Sequence, residues 1–146
     1  MNDIIDYMVI ISKSTKEEIK PFNSKEWVAT NVKHYGKPDN WIEEEFVFKA
    51  EEDGETVGTI YGEFAAGVLY IDDLIVTKAK RGSGIGRQLM EKAEEFGKDL
   101  KAHKSYLITW KEDEVIGFYE KLGYKKTGDF VNHYYHCDFV IYEKLS

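Results

Sequence analysis

Residues 79–89, Ala-Lys-Arg-Gly-Ser-Gly-Ile-Gly-Arg-Gln-Leu, place three glycines and two arginines between a strand-like run and a helix-like run. A strand followed by glycines and then a helix can hold a phosphate. Exposed N–H groups and the positive end of the helix dipole converge there on one point. Two nucleotide motifs fail on spacing. A P-loop requires lysine and then serine or threonine after its last glycine, whereas Gly86 is followed by Arg87 and Gln88. A dinucleotide fingerprint requires G-x-G-x-x-G and an acid about 20 residues further on. Here Gly82-x-Gly84 leads to Arg87, and Lys104 to Leu107 holds no acid. A plain turn without a ligand would not need the conformational entropy that three glycines cost.

A second candidate is Asn132-His133-Tyr134-Tyr135-His136-Cys137-Asp138. Two histidines and a cysteine suggest a metal. On a continuous strand, however, His133 and His136 face opposite sides, and no second ligand cluster supports them, so no metal is expected. Cys137 is the single cysteine. It excludes an internal disulfide framework and reads as a small buried hydrophobe rather than a nucleophile.

The 146-residue chain fits one domain spanning residues 1–146. With 27 acidic and 20 basic residues, its net charge of -7 argues against nucleic acid as a partner and favours cationic small molecules. No run of about 18 apolar residues is available to span a membrane, and the start Met1 to Thr15 lacks a basic flank and a cleavage site. A cytoplasmic protein is expected.

The elements that must position the loop follow from periodicity. Ile4 to Ser12 reads as a strand, and Ser14, three residues before Glu17, opens a short helix toward Pro21. A second helix follows Asn23 and stops near Gly36 and Pro38. Strand-like runs at residues 44–52, 55–64 and 68–78 are separated by Asp53-Gly54 and Ala66-Gly67, which predicts an antiparallel meander. From Ile85 the pattern turns helical, with Leu89, Ala93, Phe96 and Leu100 on one stripe and Glu94 and Lys98 as an i,i+4 pair outside it. Ser105 to Trp110 reads as a strand, Asp113 caps a short helix ending at Gly123, and two antiparallel strands close the chain around residues 130–135.

The run Asp73 to Met90, with Arg81-Gly82-Ser83-Gly84-Ile85-Gly86 at its centre, resembles the acetyl-CoA-binding motif of the GNAT superfamily of N-acetyltransferases, Arg/Gln-x-x-Gly-x-Gly/Ala. Leu74 and Val76 occupy the usual apolar positions upstream, and Gly117 to Tyr124 is similar to the family's later aromatic motif. The strand order matches over essentially the whole chain. The resemblance implies a mixed α/β fold: a largely antiparallel sheet of about seven strands, about four flanking helices, and a splayed parallel strand pair. It also implies that the pyrophosphate of coenzyme A meets N–H groups of Gly82, Ser83, Gly84, Ile85, Gly86 and Arg87. Arg81 either touches phosphate or holds the loop. Leu74, Ile75 and Val76 would offer backbone hydrogen bonds to the pantetheine arm between the splayed strands.

Acetyl transfer to an amine requires a neutral amine and a proton for the departing thiolate. The resemblance implies carboxylates for the first task, and Asp72 and Asp73 lie just before the cofactor contacts. Residues 69–76 are similar to the matching strand of diamine N-acetyltransferases, where Asp72 takes the place of a functional glutamate. Strand alternation allows at most one of the two to face the acceptor. Tyr119, in the family's Phe-Tyr motif, is implied as the proton donor. The family's asparagine seven residues earlier is Glu112 here, to which no role carries over. His133, Tyr134 and Tyr135 lie on the hairpin expected beside the acceptor.

The expected activity is direct transfer from acetyl-CoA to a primary amine, such as a polyamine or other small cationic amine. Acetylation of a protein N-terminus or lysine is the alternative, and a non-catalytic acyl-CoA-binding module is the rival from another class. A homodimer is expected from the frequency of cyclic dimers.

Overall fold

The computed structural model describes residues 8–36 and 41–146, and contacts divide the chain into two units, 1–40 and 41–146. In the first unit, Met8 to Ser12 carries no regular structure, and the remainder of the expected first strand lies outside the described residues. One helix, α1 (Lys16–Tyr35), replaces the two expected. Its cap is Thr15, not Ser14: the Thr15 side chain accepts the N–H of Glu18 at 3.1 Å. Pro21 sits inside α1 and costs it one hydrogen bond without ending it. The helix stops at Gly36, whose φ of 73° is left-handed and whose N–H reaches Val32 O.

The second unit runs β1 (Glu43–Glu52), β2 (Glu55–Ala65), β3 (Val68–Val76), α2 (Ile85–Asp99), β4 (Lys104–Trp110), α3 (Asp113–Lys121), β5 (Lys125–Phe130) and β6 (Phe139–Leu145). Among the described residues there are six strands and three α-helices, against the seven and four expected. The sheet order is β1-β2-β3-β4-β6-β5. The meander is antiparallel as read, β3 and β4 are parallel, and β5 and β6 are antiparallel.

One face of the sheet carries the core. Phe46, Ile60, Phe64, Leu69 and Ile71 point toward Leu89, Met90 and Ala93 of α2, all buried. A fully buried side chain such as Ile60 contributes about 1.5–3 kcal/mol relative to exposure. The sequence stripe on α2 is thus the packing face. Glu94 departs from its expected partner: it pairs with Lys144 of β6 at 2.9 Å instead of Lys98. Asp113 is the first residue of α3 and not its cap, a position taken by Glu112.

Candidate active site

The glycine loop leaves β3 through a 3-10 turn at Lys78–Lys80 and enters α2 at Gly84. Gly82 and Gly84 have φ of 82° and 90°, a region that side-chain-bearing residues adopt only with strain. A Cβ on Gly82 would meet nothing within 4 Å, so the backbone there borders open space. The first bond within α2 is Gln88 N–H to Gly84 O at 3.1 Å. The N–H groups of Ile85, Gly86 and Arg87 therefore lack helical acceptors, no side chain caps the end, and its first turn carries no acid. These features fit a phosphate group. Lys78 and Arg81 add positive charge on and around the loop, whereas Lys80 and Arg87 are ion-paired with Glu52 at 3.0 Å and Glu91 at 2.9 Å.

Two loop residues serve the loop itself. Arg81 Nε donates to Val76 O at 3.0 Å and fastens the loop to the end of β3. Ser83 Oγ donates to Lys80 O. Gly86 differs from the other two glycines: its backbone is ordinary, and a Cβ would stand 3.3 Å from Phe118 Cζ. Its small size lets α2 approach α3.

Strands β3 and β4 pair only from Val68/Lys104 to Ile71/Leu107. Beyond that point β3 follows β2 as far as Val76, and β4 follows β6 as far as Trp110, so the parallel pair splays. From Asp72 to Val76 the side of β3 that faced β4 is left open, with Leu74, Ile75 and Val76 along it. A cavity of about 220 Å³ opens where the strands part, lined among others by Tyr70, Asp72, Asp73, Trp110, Tyr119 and Tyr134.

Both aspartates border this cavity, which simple alternation would forbid. The cause is a bulge: Tyr61 pairs with Asp73 and Gly62 with Ile71, leaving Asp72 as an extra residue on β3. Gly62 permits the close strand approach here, since a Cβ would lie within 3 Å of Tyr70 O. After the bulge the facing pattern reverses, so Ile71 is buried, Ile75 is exposed, and Leu74 and Val76 pack on the core. The two aspartates share one neighbour and differ in the others: both raise the phenol pKa of Tyr61, Asp73 adds to the burial that raises Tyr119, and Asp72 adds to the burial that raises Tyr70 and Tyr106.

Tyr119 is 8% exposed and stands on α3 with its ring against Phe118 and Tyr124. Burial first, and then the charge of Asp73, push its pKa up to about 12. Its hydroxyl makes no hydrogen bond to any described residue, and Tyr119 is one of the residues that line the cavity. It stays protonated throughout the physiological range and can donate to a group placed there.

The segment read as a continuous strand from Asn132 to Asp138 is a loop between β5 and β6 with a 3-10 turn at Tyr134–His136. Strand alternation therefore does not govern His133 and His136. His136 Nδ1 lies 2.8 Å from Asn132 Oδ1, whereas the His133 ring stacks on Phe130 at 4.8 Å. No group of three or more potential metal ligands occurs among the described residues. Cys137 is exposed, not buried. Asn132, Tyr135 and His136 have φ of 54°, 48° and 66°, a concentration of strain held by Asp138 Oδ1, which accepts the Asn132 N–H at 2.8 Å. The loop turns His133 and Tyr134 to the cavity and leaves Tyr135 in solvent.

Tyr70, Thr109, Trp110 and Phe139 also line the cavity and were not singled out from sequence. For Tyr70 a signal existed, because it precedes Asp72 by two residues on one strand and so shares its face. For Trp110 and Phe139, which face each other across the β4–β6 pair, only the splay reveals the position.

A family model described as the acetyltransferase (GNAT) family matches residues 13–124. The chain is also 31% identical over 101 residues to an acetyltransferase of Agrobacterium fabrum, covering 69% of this chain and 72% of that one. The chain belongs to the GNAT family. It is an acetyltransferase of the GNAT type, a family that uses acetyl-CoA as cosubstrate. An acetyltransferase of Bacillus cereus shares the fold at a TM-score of 0.77, with 23% identity over 96% of this chain and 99% of that one. Naa50 of Arabidopsis thaliana, solved with the bisubstrate analogue CoA-Ac-MVNAL, is similar at a TM-score of 0.62 and 26% identity, covering 68% of this chain and 72% of that one. No described helix of this acetyltransferase is long and apolar enough to cross a membrane.

Proposed function

We propose that this acetyltransferase moves the acetyl group of acetyl-CoA directly to the primary amine of a small cationic molecule. The observation that carries the reading is the meeting of Asp72, Asp73 and Tyr119 around one cavity at the splay of β3 and β4. At about 220 Å³ the cavity is smaller than a typical drug-sized site, so it admits the reacting ends of two molecules. Two carboxylates with the rings of Tyr70, Trp110 and Tyr134 favour an ammonium over a neutral or anionic group.

In this reading, the N–H groups of Gly82 to Arg87 bind the pyrophosphate of the donor. Arg81 holds the loop in shape, and the open side of Leu74, Ile75 and Val76 receives the pantetheine arm. An alkyl ammonium has a pKa of about 10.4 and must lose a proton before it can attack. Asp72 holds the ammonium, and Asp73, beside Tyr119, accepts that proton directly or through water. The amine nitrogen then bonds to the thioester carbonyl carbon and the carbon–sulfur bond breaks. Tyr119 donates its hydroxyl hydrogen to the departing sulfur and is reprotonated by the second proton leaving the nitrogen. The products are the amide, coenzyme A and one proton.

The likeness to Naa50 and its peptide-bearing analogue favours a second reading, in which the amine belongs to a protein. Incubation with acetyl-CoA and separate pools of polyamines, amino acids, aminoglycosides and short peptides, read by mass, tests both. Products in the polyamine or aminoglycoside pool are expected. Product in the peptide pool alone overturns the small-amine reading, and no product in any pool removes both.

A further inference from the structure

The hydroxyl of Tyr119 has no hydrogen bond to any described residue, so other contacts must set where it points. Two rings pack against the Tyr119 ring, with centroids at 4.9 Å for Phe118 and 6.0 Å for Tyr124, both nearly edge-on. The backbone repeats the second link, since Tyr119 O accepts the N–H of Tyr124 at 3.1 Å. Tyr124 is 1% exposed, and its own hydroxyl is tightly held. It lies 2.9 Å from Ser105 Oγ and donates to Glu94 Oε1 at 3.1 Å. Lys144 Nζ donates to both oxygens of that carboxylate, at 3.2 and 2.9 Å, and stands 5.7 Å from the centroid of the Tyr124 ring.

The placement of these partners is informative. Ser105 is buried and sits on β4 opposite Leu69, inside the short paired stretch of β3 and β4 just before the splay. Glu94 lies on α2, the helix whose other end faces the glycine loop. The Tyr124 hydroxyl thus refers α3 to the strand that borders the cavity and to the helix that borders the phosphate site. A phenylalanine would fill the same space without the cost of burying a hydroxyl, and burial does push the Tyr124 pKa up. A fully satisfied polar network in a core instead fixes one arrangement. Every fully buried side-chain nitrogen and oxygen among the described residues has a partner, and the Tyr119 hydroxyl, which has none, is not among them.

We propose that Tyr124 is a positioning residue for Tyr119, acting through its hydrogen bonds to Ser105 and Glu94. The proposal rests on the reading of Tyr119 as proton donor to the sulfur. Without its hydroxyl anchor, Tyr124 leaves the α3 tyrosine free to shift from the reacting atoms while the glycine loop is untouched. Turnover should then suffer and donor binding should not.

The test is a double-mutant cycle of Tyr119→Phe and Tyr124→Phe, with kcat and the KM for acetyl-CoA measured on folded, monodisperse protein. Tyr124→Phe alone should lower kcat about tenfold and change that KM by less than about twofold. In the Tyr119→Phe background it should cost almost nothing further. Equal losses in both backgrounds would overturn the positioning role while leaving Tyr119 as donor. An unchanged kcat in Tyr119→Phe alone would overturn the donor reading and this proposal with it. Glu94 provides a variant away from the core: Glu94→Gln keeps an acceptor for the Tyr124 hydroxyl and should retain turnover, whereas Glu94→Ala should match Tyr124→Phe. Equal activity of the two Glu94 variants would count against the proposal.

Discussion

The donor side and the acceptor side of the cleft are built by different means. On the donor side, Gly82, Gly84 and the first turn of α2 form one continuous segment that presents main-chain N–H groups. The acceptor side gathers side chains from β3, β4, α3 and the β5–β6 loop around one cavity. A main-chain site tolerates change in side chains and fails when the backbone angle fails. A side-chain site tolerates backbone neighbours and fails when a single functional group is lost. Substitutions on the two sides should therefore separate binding of acetyl-CoA from turnover.

The largest expected effect is on the acceptor side. Tyr119→Phe should lower kcat by about 100-fold, the scale of one general acid, with unchanged acetyl-CoA affinity by calorimetry. Loss of affinity in that variant would break the division. On the donor side, Gly84→Val forces a β-branched residue into a left-handed conformation at a cost of about 1–3 kcal/mol. Acetyl-CoA binding should weaken about 10- to 100-fold, measured by titration, while the far end of the cavity keeps its amine affinity.

The two aspartates sharpen the comparison. Asp73→Asn should lower kcat about tenfold, because Asp73 lines the cavity with Tyr119 and is read as the acceptor of the amine proton. Asp72→Asn should chiefly raise the amine KM, by about threefold to tenfold, because Asp72 lines the cavity with Tyr70, Trp110 and Tyr134 and is read as the group that holds the ammonium. An exchange of these two patterns, read from steady-state kinetics, would reverse the assigned roles. The smallest effect lies in stability at alkaline pH. Burial holds the Tyr119 proton up to about 12 in the folded chain, against about 10 for a free phenol, so this contribution is complete below pH 10 and is lost as pH rises toward 12. Urea unfolding at successive pH values should show a shallower alkaline decline in Tyr119→Phe than in the parent.

Much of the fold was legible because its signals are local. The turns Asp53-Gly54 and Ala66-Gly67 fixed the meander, and the apolar stripe of α2 predicted its buried face. The first helix was misread because Ser14 also stands three residues before a glutamate and Pro21 suggests a stop, yet the Thr15 cap carries α1 through to Gly36. The segment from Asn132 to Asp138 was misread as strand because tyrosines favour strands. Asp138 instead folds back onto the Asn132 N–H and closes a loop.

By itself the sequence determined the glycine loop, the family and the residues from which a site could be made. Positive φ at Gly82 and Gly84 and uncapped N–H groups at the start of α2 are consequences of neighbouring residues and need no distant partner. Only the tertiary structure decided that Asp72 and Asp73 face one cavity, because a bulge depends on pairing with β2. It also decided that Glu94 turns from Lys98 to Tyr124, 30 residues away, and Lys144, 50 residues away. An exposed i,i+4 pair gains little in water, whereas a half-buried carboxylate between an ammonium and a phenol satisfies groups that burial would otherwise penalise.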